Sequence, residues 1–116
     1  MKRKLAGIYM IHHKSGFYYI GYSIDIFSRW SRHYTSIKMS THSSVDLTKL
    51  WNSTEVSEWT FRILDTLSIT EFKKEHQIKG KALETAFRRK LLNMEKEWMS
   101  LYSKNFALNK DNKNFG

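Results

Sequence analysis

Residues 5–13 alternate in the period of two that a β-strand imposes: Gly7, Tyr9, Ile11 and His13 share one side, Ala6, Ile8, Met10 and His12 the other. Residues 17–23, rich in aromatics, predict a second strand. Because the period is two, the turn between them decides which side chains meet. A two-residue Ser15-Gly16 turn would place Tyr9 opposite Tyr22 and send Tyr19 to the other face. A three-residue loop, Lys14-Ser15-Gly16, pairs His13 with Phe17, sets Tyr9 opposite Gly21 and leaves Tyr19 diagonal to it on the same face. Such loops end in a residue of positive φ, and glycine stands at that place, so the three-residue loop is expected. Both phenols then share one face, their backbones roughly 7–8 Å apart.

After the hairpin the period lengthens. A helix is expected from about Asp25, capped by Ser23 or Asp25, with Ile26, Phe27, Trp30, Tyr34 and Ile37 as its apolar stripe. Arg29 and His33, four apart, stack on one side of it. Residues 36–43 are polar and predict a loop containing His42, followed by a short helix over about 44–52. Trp59, Phe61 and Ile63 alternate with Thr60, Arg62 and Leu64, a third strand. Ser68-Ile69-Thr70-Glu71 has the form of a capping box opening a helical segment that Gly80 bends or breaks. From about 81 to 103, Leu83, Phe87, Leu91, Met94, Trp98 and Leu101 recur at helical steps. The tail from Asn105 is polar, and neither a repeat nor a second domain is expected: one domain over 1–116, its core about 5–109, with no separate DNA-binding domain.

Charge narrows the function. Twenty Lys and Arg against eleven Asp and Glu leave a formal net charge of +9 on 116 residues, which predicts attraction to a polyanion, nucleic acid before anionic membrane. With 41% hydrophobic residues the chain can form a packed core. It lacks cysteine, so disulfides and thiolate metal sites are excluded, and the histidines lack zinc-ligand spacing. No apolar run reaches the length of a membrane span and the basic start is not followed by a signal-peptide stretch, so a cytoplasmic location is expected. Arg32, Lys38, Arg88 and Arg89 are the candidates for nucleic-acid backbone contact, although runs such as Arg88-Arg89-Lys90 are more commonly solvated helix faces. His12, His13 and His76 read as solvated or incidental, and Tyr18 and Tyr22 as packing or rim residues.

Two tyrosines in one hairpin, followed by an arginine and histidines, suit phosphodiester hydrolysis. That reaction needs an activated water, neutralised charge in the transition state and a stabilised leaving oxygen. A carboxylate-bound divalent metal supplies the last two. Glu95 is the carboxylate candidate, because it rides the apolar stripe of the last helix, where an unpaired acid is costly to bury. On spacing alone, the commoner reading of such a position is a stripe-edge acid paired with an arginine.

Gly7-Ile8-Tyr9 and Tyr19-Ile20-Gly21, continued through Gly21-Tyr22-Ser23, Ser28-Arg29-Trp30-Ser31-Arg32-His33, His42-Ser43-Ser44, Glu95 before Trp98 and a closing Asn, resemble the GIY-YIG endonucleases over about residues 6–109, most closely phage homing-type domains. The resemblance implies an α/β (α+β) fold, a small three-stranded antiparallel sheet flanked by helices. It implies Tyr9 as general base or water-orienting residue, Tyr19 near the water or scissile phosphate, Arg29 on the phosphate, His33 as proton relay or as the residue that positions Tyr9, and Glu95 as ligand of one Mg²⁺ or Mn²⁺. His42 and a terminal Asn, Asn109 or Asn105, would support them. The implied activity is cleavage of double-stranded DNA, one strand per active site, with a homodimer or a targeting partner protein needed for more. The alternatives are a catalytically silent basic DNA-binding module and a structure-specific or RNA-directed nuclease.

Overall fold

The computed structural model describes residues 4–38 and 44–109. Its elements run β1 (Gly7–His13), β2 (Tyr18–Ser23), α1 (Ile26–Lys38), α2 (Val45–Asn52), β3 (Trp59–Thr66), α3 (Ile69–His76) and α4 (Gly80–Met99), with 3₁₀ turns at Val56–Glu58 and Lys104–Phe106. The three strands form one antiparallel sheet in the order β2-β1-β3, the architecture expected from the sequence.

The hairpin adopts the three-residue loop. His13 N donates to Phe17 O (2.9 Å) and Gly16 N to His13 O (2.9 Å), while Gly16 takes a φ of 112°, which costs a glycine least. Tyr9 therefore pairs with Gly21 and Ile11 with Tyr19. His13 is not incidental: it is buried, with Nδ1 2.7 Å from Ser15 Oγ and Nε2 3.0 Å from Glu58 Oε1, tying the turn to the entrance of β3. The polar turn residue Ser15 gave it a local partner, but Glu58, 45 positions away, could not be read from the hairpin.

Both sheet faces are covered. Ile8, Met10 and Ile20 pack with Phe72 of α3 and Phe87, Leu91 and Met94 of α4. On the other face Tyr9, Ile11 and Tyr19 pack with Ile26 of α1, Leu47 of α2 and Leu108. The pairing of β1 with β3 shifts register between Ile8 and Tyr9, so that Ile8 faces Asp65 and Tyr9 faces Ile63. Such an irregularity bends the ladder beside the candidate site residue Tyr9.

The helix ends follow local chemistry. Ser68 Oγ accepts from Glu71 N at the start of α3. The break before α4 is carried by Gln77 in the left-handed region (φ 52°) together with Gly80 (φ 64°). One helical expectation changes: the aromatic flank of α1 is not its core face. Phe27, Trp30 and Tyr34 are 58%, 38% and 41% exposed, whereas Ile26 and His33 are buried and Arg29 half-buried. Trp30 and Tyr34 instead form a peripheral row, against Phe61 (5.1 Å between ring centroids) and Trp51 (6.1 Å). The side chain of Ile37 lies outside the described residues.

The segment after α4 runs along β2, an edge strand. Leu108 N donates to Tyr18 O (2.7 Å), and the Asn109 amide both accepts from Ile20 N (3.0 Å) and donates to Ile20 O (2.8 Å). One side chain thus satisfies both backbone groups of a fully buried residue, as a neighbouring strand would. Asn105 is exposed, and among the described residues its hydrogen bond is from its backbone N–H to Ser103 Oγ. Asn109→Ala is expected to cost about 1–3 kcal/mol by leaving buried backbone groups unpaired, while Asn105→Ala stays within about 0.5 kcal/mol. Urea unfolding of the two variants checks this, and equal stabilities would refute the strand-like role of Asn109.

Candidate active site

The site begins in the hairpin. Tyr9 is 1% exposed, its ring stacked 5.8 Å from Phe61 and set edge-on to His33 at 5.5 Å. Tyr19 meets the same imidazole edge-on at 5.1 Å. Gly21 makes room for this: a Cβ there would come within 2.6 Å of Tyr9 Cζ, so any larger residue would displace the phenol that the register places opposite it.

Helix α1 supplies the next layer. Asp25 receives Ser28 N (3.4 Å) on its carboxylate and Arg29 N (3.0 Å) on its carbonyl, which sets the rotation of the first turn. Ser23 Oγ in turn accepts from Asp25 N (2.9 Å), so both expected capping residues take part. His33 is buried and its Nε2 lies 2.5 Å from Tyr9 Oη. Burial pushes the Tyr9 phenol above its ordinary range; Tyr19 and Glu95 push the same way, and only Arg29 opposes them. Tyr9 is thus a neutral phenol, hydrogen-bonded to the His33 imidazole. Arg29 lines the cavity beside it, and its Nε is buried without a hydrogen-bond partner among the described residues, an arrangement that a bound anion would satisfy.

Helix α4 brings the carboxylate. Glu95 lines the same cavity, of about 550 Å³, as Tyr9, Tyr19, Gly21 and Arg29. The arginine pairing that spacing suggested is absent: no ion pair to Glu95 occurs among the described residues. Burial raises its carboxyl to about 7, with Lys96 pulling weakly the other way. No cluster of three His, Cys, Asp or Glu occurs among the described residues, so any metal here would rest on Glu95 with water and substrate oxygens. That donor set fits a hard divalent cation such as Mg²⁺, which keeps several waters and takes one or two carboxylates plus phosphate.

The remaining candidates divide. Arg32 and Arg88 line the cavity. Arg89 does not; it lies in a separate groove with Phe72, His76 and Lys81, because neighbours on a helix point about 100° apart. Lys38 ends α1 and its side chain, like His42 entirely, lies outside the described residues. Asn109 is absent from the cavity lining and braces β2 instead. Lys4, Tyr22, Asp25 and Ser28 also line the cavity. No local pattern singled out Lys4, because only the tertiary fold brings the start of β1 beside α4.

A family model described as the GIY-YIG catalytic domain matches residues 5–112. Among solved structures, the catalytic domain of the homing endonuclease I-TevI aligns over 89% of this chain and 95% of its own, with a TM-score of 0.64 and 22% identity, which shows a common fold. A structure of a mutant catalytic domain of the intron endonuclease I-TevI aligns over 56% of this chain and 67% of its own, with a TM-score of 0.51 and 27% identity. No curated protein gives a significant match. Among the described residues no helix is long and apolar enough to cross a membrane. With nearly its whole length matched by the catalytic-domain model, the chain belongs to the GIY-YIG endonuclease family.

Proposed function

We propose that the protein is a divalent-metal-dependent endonuclease acting on double-stranded DNA and cutting one strand per active site. The observation that carries this reading is the buried Arg29 Nε, unpartnered among the described residues, in a cavity also lined by Tyr9, which is hydrogen-bonded to His33 behind it, and by a desolvated Glu95 with no ion pair among those residues. A phosphodiester entering that cavity meets a cation for its oxygens, a proton acceptor for water and a carboxylate able to hold a metal.

The chemistry follows from the pairing. A phenol whose pKa is raised is a poor base by itself. Hydrogen-bonded to His33, Tyr9 Oη takes a proton from the attacking water as it passes its own to His33 Nε2, and the imidazole becomes the charged group. The hydroxide formed attacks phosphorus and the bond to the leaving oxygen breaks. Arg29 neutralises the charge that develops on the non-bridging oxygens. Tyr19, edge-on to His33, holds the imidazole and borders the same cavity. Glu95 would hold the metal, which supplies Lewis-acid stabilisation of the phosphate and leaving oxygens when bound.

Arg32 and Arg88 extend the positive rim, and the net charge of +9 supplies general affinity for DNA. With one such cavity described, a monomer nicks, and a double-strand break requires a second copy, a targeting partner or a second visit. The likeness to the I-TevI catalytic domain supports a homing-type or inter-element nuclease of a phage or mobile element, working in the host cytoplasm.

Supercoiled plasmid incubated with Mg²⁺ is expected to be nicked by the wild type, with Tyr9→Phe and Glu95→Gln each slowing nicking by at least about a hundredfold, the scale of a lost acid–base or charge-stabilising group. Equal rates in all three proteins would overturn the site, and plasmid binding without cleavage would support the silent module.

Glu95 also predicts a pH effect on the metal-free protein. Its carboxyl is raised from 4.5 to about 7, so between those values the folded state holds a proton that the unfolded state releases. Stability from this group therefore falls as pH rises from about 4.5 to about 7 and levels off above. Denaturant unfolding in EDTA across that window should show the decline, and Glu95→Gln should flatten it.

A further inference from the structure

A second cavity, of about 400 Å³, adjoins the active-site cavity, and the two share Lys4 and Arg88 in their walls. Their linings differ in character. The first is mainly polar, whereas the second has an apolar lining that includes Leu67 and Phe87, with Thr70 and Glu84 as polar edge groups. Phe87 is a buried core residue and supplies a firm wall. Glu84 is exposed, and although Arg88 stands one helical turn beyond it, no ion pair joins the two among the described residues.

We infer that this second cavity reads a base of the DNA beside the cut, with Glu84 accepting a hydrogen bond from the exocyclic amine of cytosine or adenine. The inference rests on the nuclease reading above and adds to it a determinant of sequence preference. Lys4 and Arg88, in the wall between the cavities, suit a phosphate of the strand that leads from one to the other. A carboxylate repels phosphate, so what Glu84 can take from bound DNA is a hydrogen-bond donor of a base and not the backbone. Among major-groove edges only cytosine N4 and adenine N6 offer one, and a carboxylate is the usual acceptor for cytosine. The apolar lining suits the carbon edge of a pyrimidine that stays stacked in the duplex, and the Thr70 hydroxyl and Glu84 carboxylate suit the polar edge of the same base.

Helical geometry sets the distance. Glu84, Arg88 and Glu95 stand at i, i+4 and i+11, which places all three on one stripe of α4. Glu84 and Glu95 are separated by about 16 Å of helical rise. At about 3.4 Å of duplex axis per base pair, the base read by Glu84 falls within about five pairs of the cut.

The test separates this inference from the nuclease reading by measuring binding without cleavage. Wild type and Glu84→Ala, with EDTA present, each select from a randomised DNA duplex pool at low salt; wild type with Mg²⁺ separately nicks a second pool, and both products are sequenced. The expected result is about tenfold enrichment of cytosine or adenine at one position in the wild-type selection, the scale of one good base contact, which Glu84→Ala abolishes. In the nicked pool the same base should lie within about five pairs of the break. Enrichment of thymine or guanine, no enrichment, or a preference that survives Glu84→Ala would overturn the inference even where nicking proceeds. A Glu84-dependent preference without nicking would uphold the base contact, overturn its place beside a cut and sink the nuclease reading. Failure to bind DNA at low salt would overturn both. Matching urea midpoints of the two proteins would show that loss of preference is not loss of fold.

Discussion

The structure depends on a single constraint: a phenol buried to 1% exposure must share its hydrogen with something, and that something is His33. Burying Tyr9 unpaired would cost free energy that a domain of this size can ill spare. Three separate features meet the requirement. The loop ending at Gly16 sets the register that turns Tyr9 toward α1. Gly21 keeps the opposite position empty. Asp25 fixes the first turn of α1, so that His33, two turns on, points back to the hairpin.

The same constraint explains the inverted helix. Amphipathicity would turn Phe27, Trp30 and Tyr34 to the core, but one helix cannot bury both its aromatic flank and its Arg29–His33 flank. The buried flank is the one with partners waiting: Tyr9 and Tyr19 for His33, and the cavity for Arg29. The aromatic rings are left to pack against Phe61 and Trp51 at the periphery. Pairing of the polar groups has overridden the burial preference of large apolar side chains at the candidate site.

Electrostatics gives the site a matched pair of defects. Among the described residues Arg29 carries a buried donor without an acceptor, and Glu95 a desolvated carboxyl without an ion-pair partner. The two stand on different helices around one cavity, α1 and α4, and do not bridge each other. Each is costly without a ligand, and the proposed ligand set, a phosphodiester with a divalent metal, would relieve both. Perturbed, unpaired groups converging on a cleft are the physical signature of a binding site rather than of a stabilising ion pair.

What the sequence by itself determined is local. A side-chain period of two and a glycine at the third loop position decide that Tyr9 and Tyr19 share a face, and residues four apart decide that Arg29 and His33 lie together on one helix side. The ordered motifs identified the family, and the stripe of α4 placed Glu95 at the edge of the core. Only the tertiary structure decided the rest. That Glu95 faces a cavity and not an arginine, that Asn109 braces Ile20 while Asn105 is exposed, that Arg88 borders the site and Arg89 does not, and that Lys4 joins it, all turn on contacts between segments far apart in the chain. Periodicity states which residues share a face of their own element. What that face meets is set by how the elements pack, and packing is a property of the whole fold.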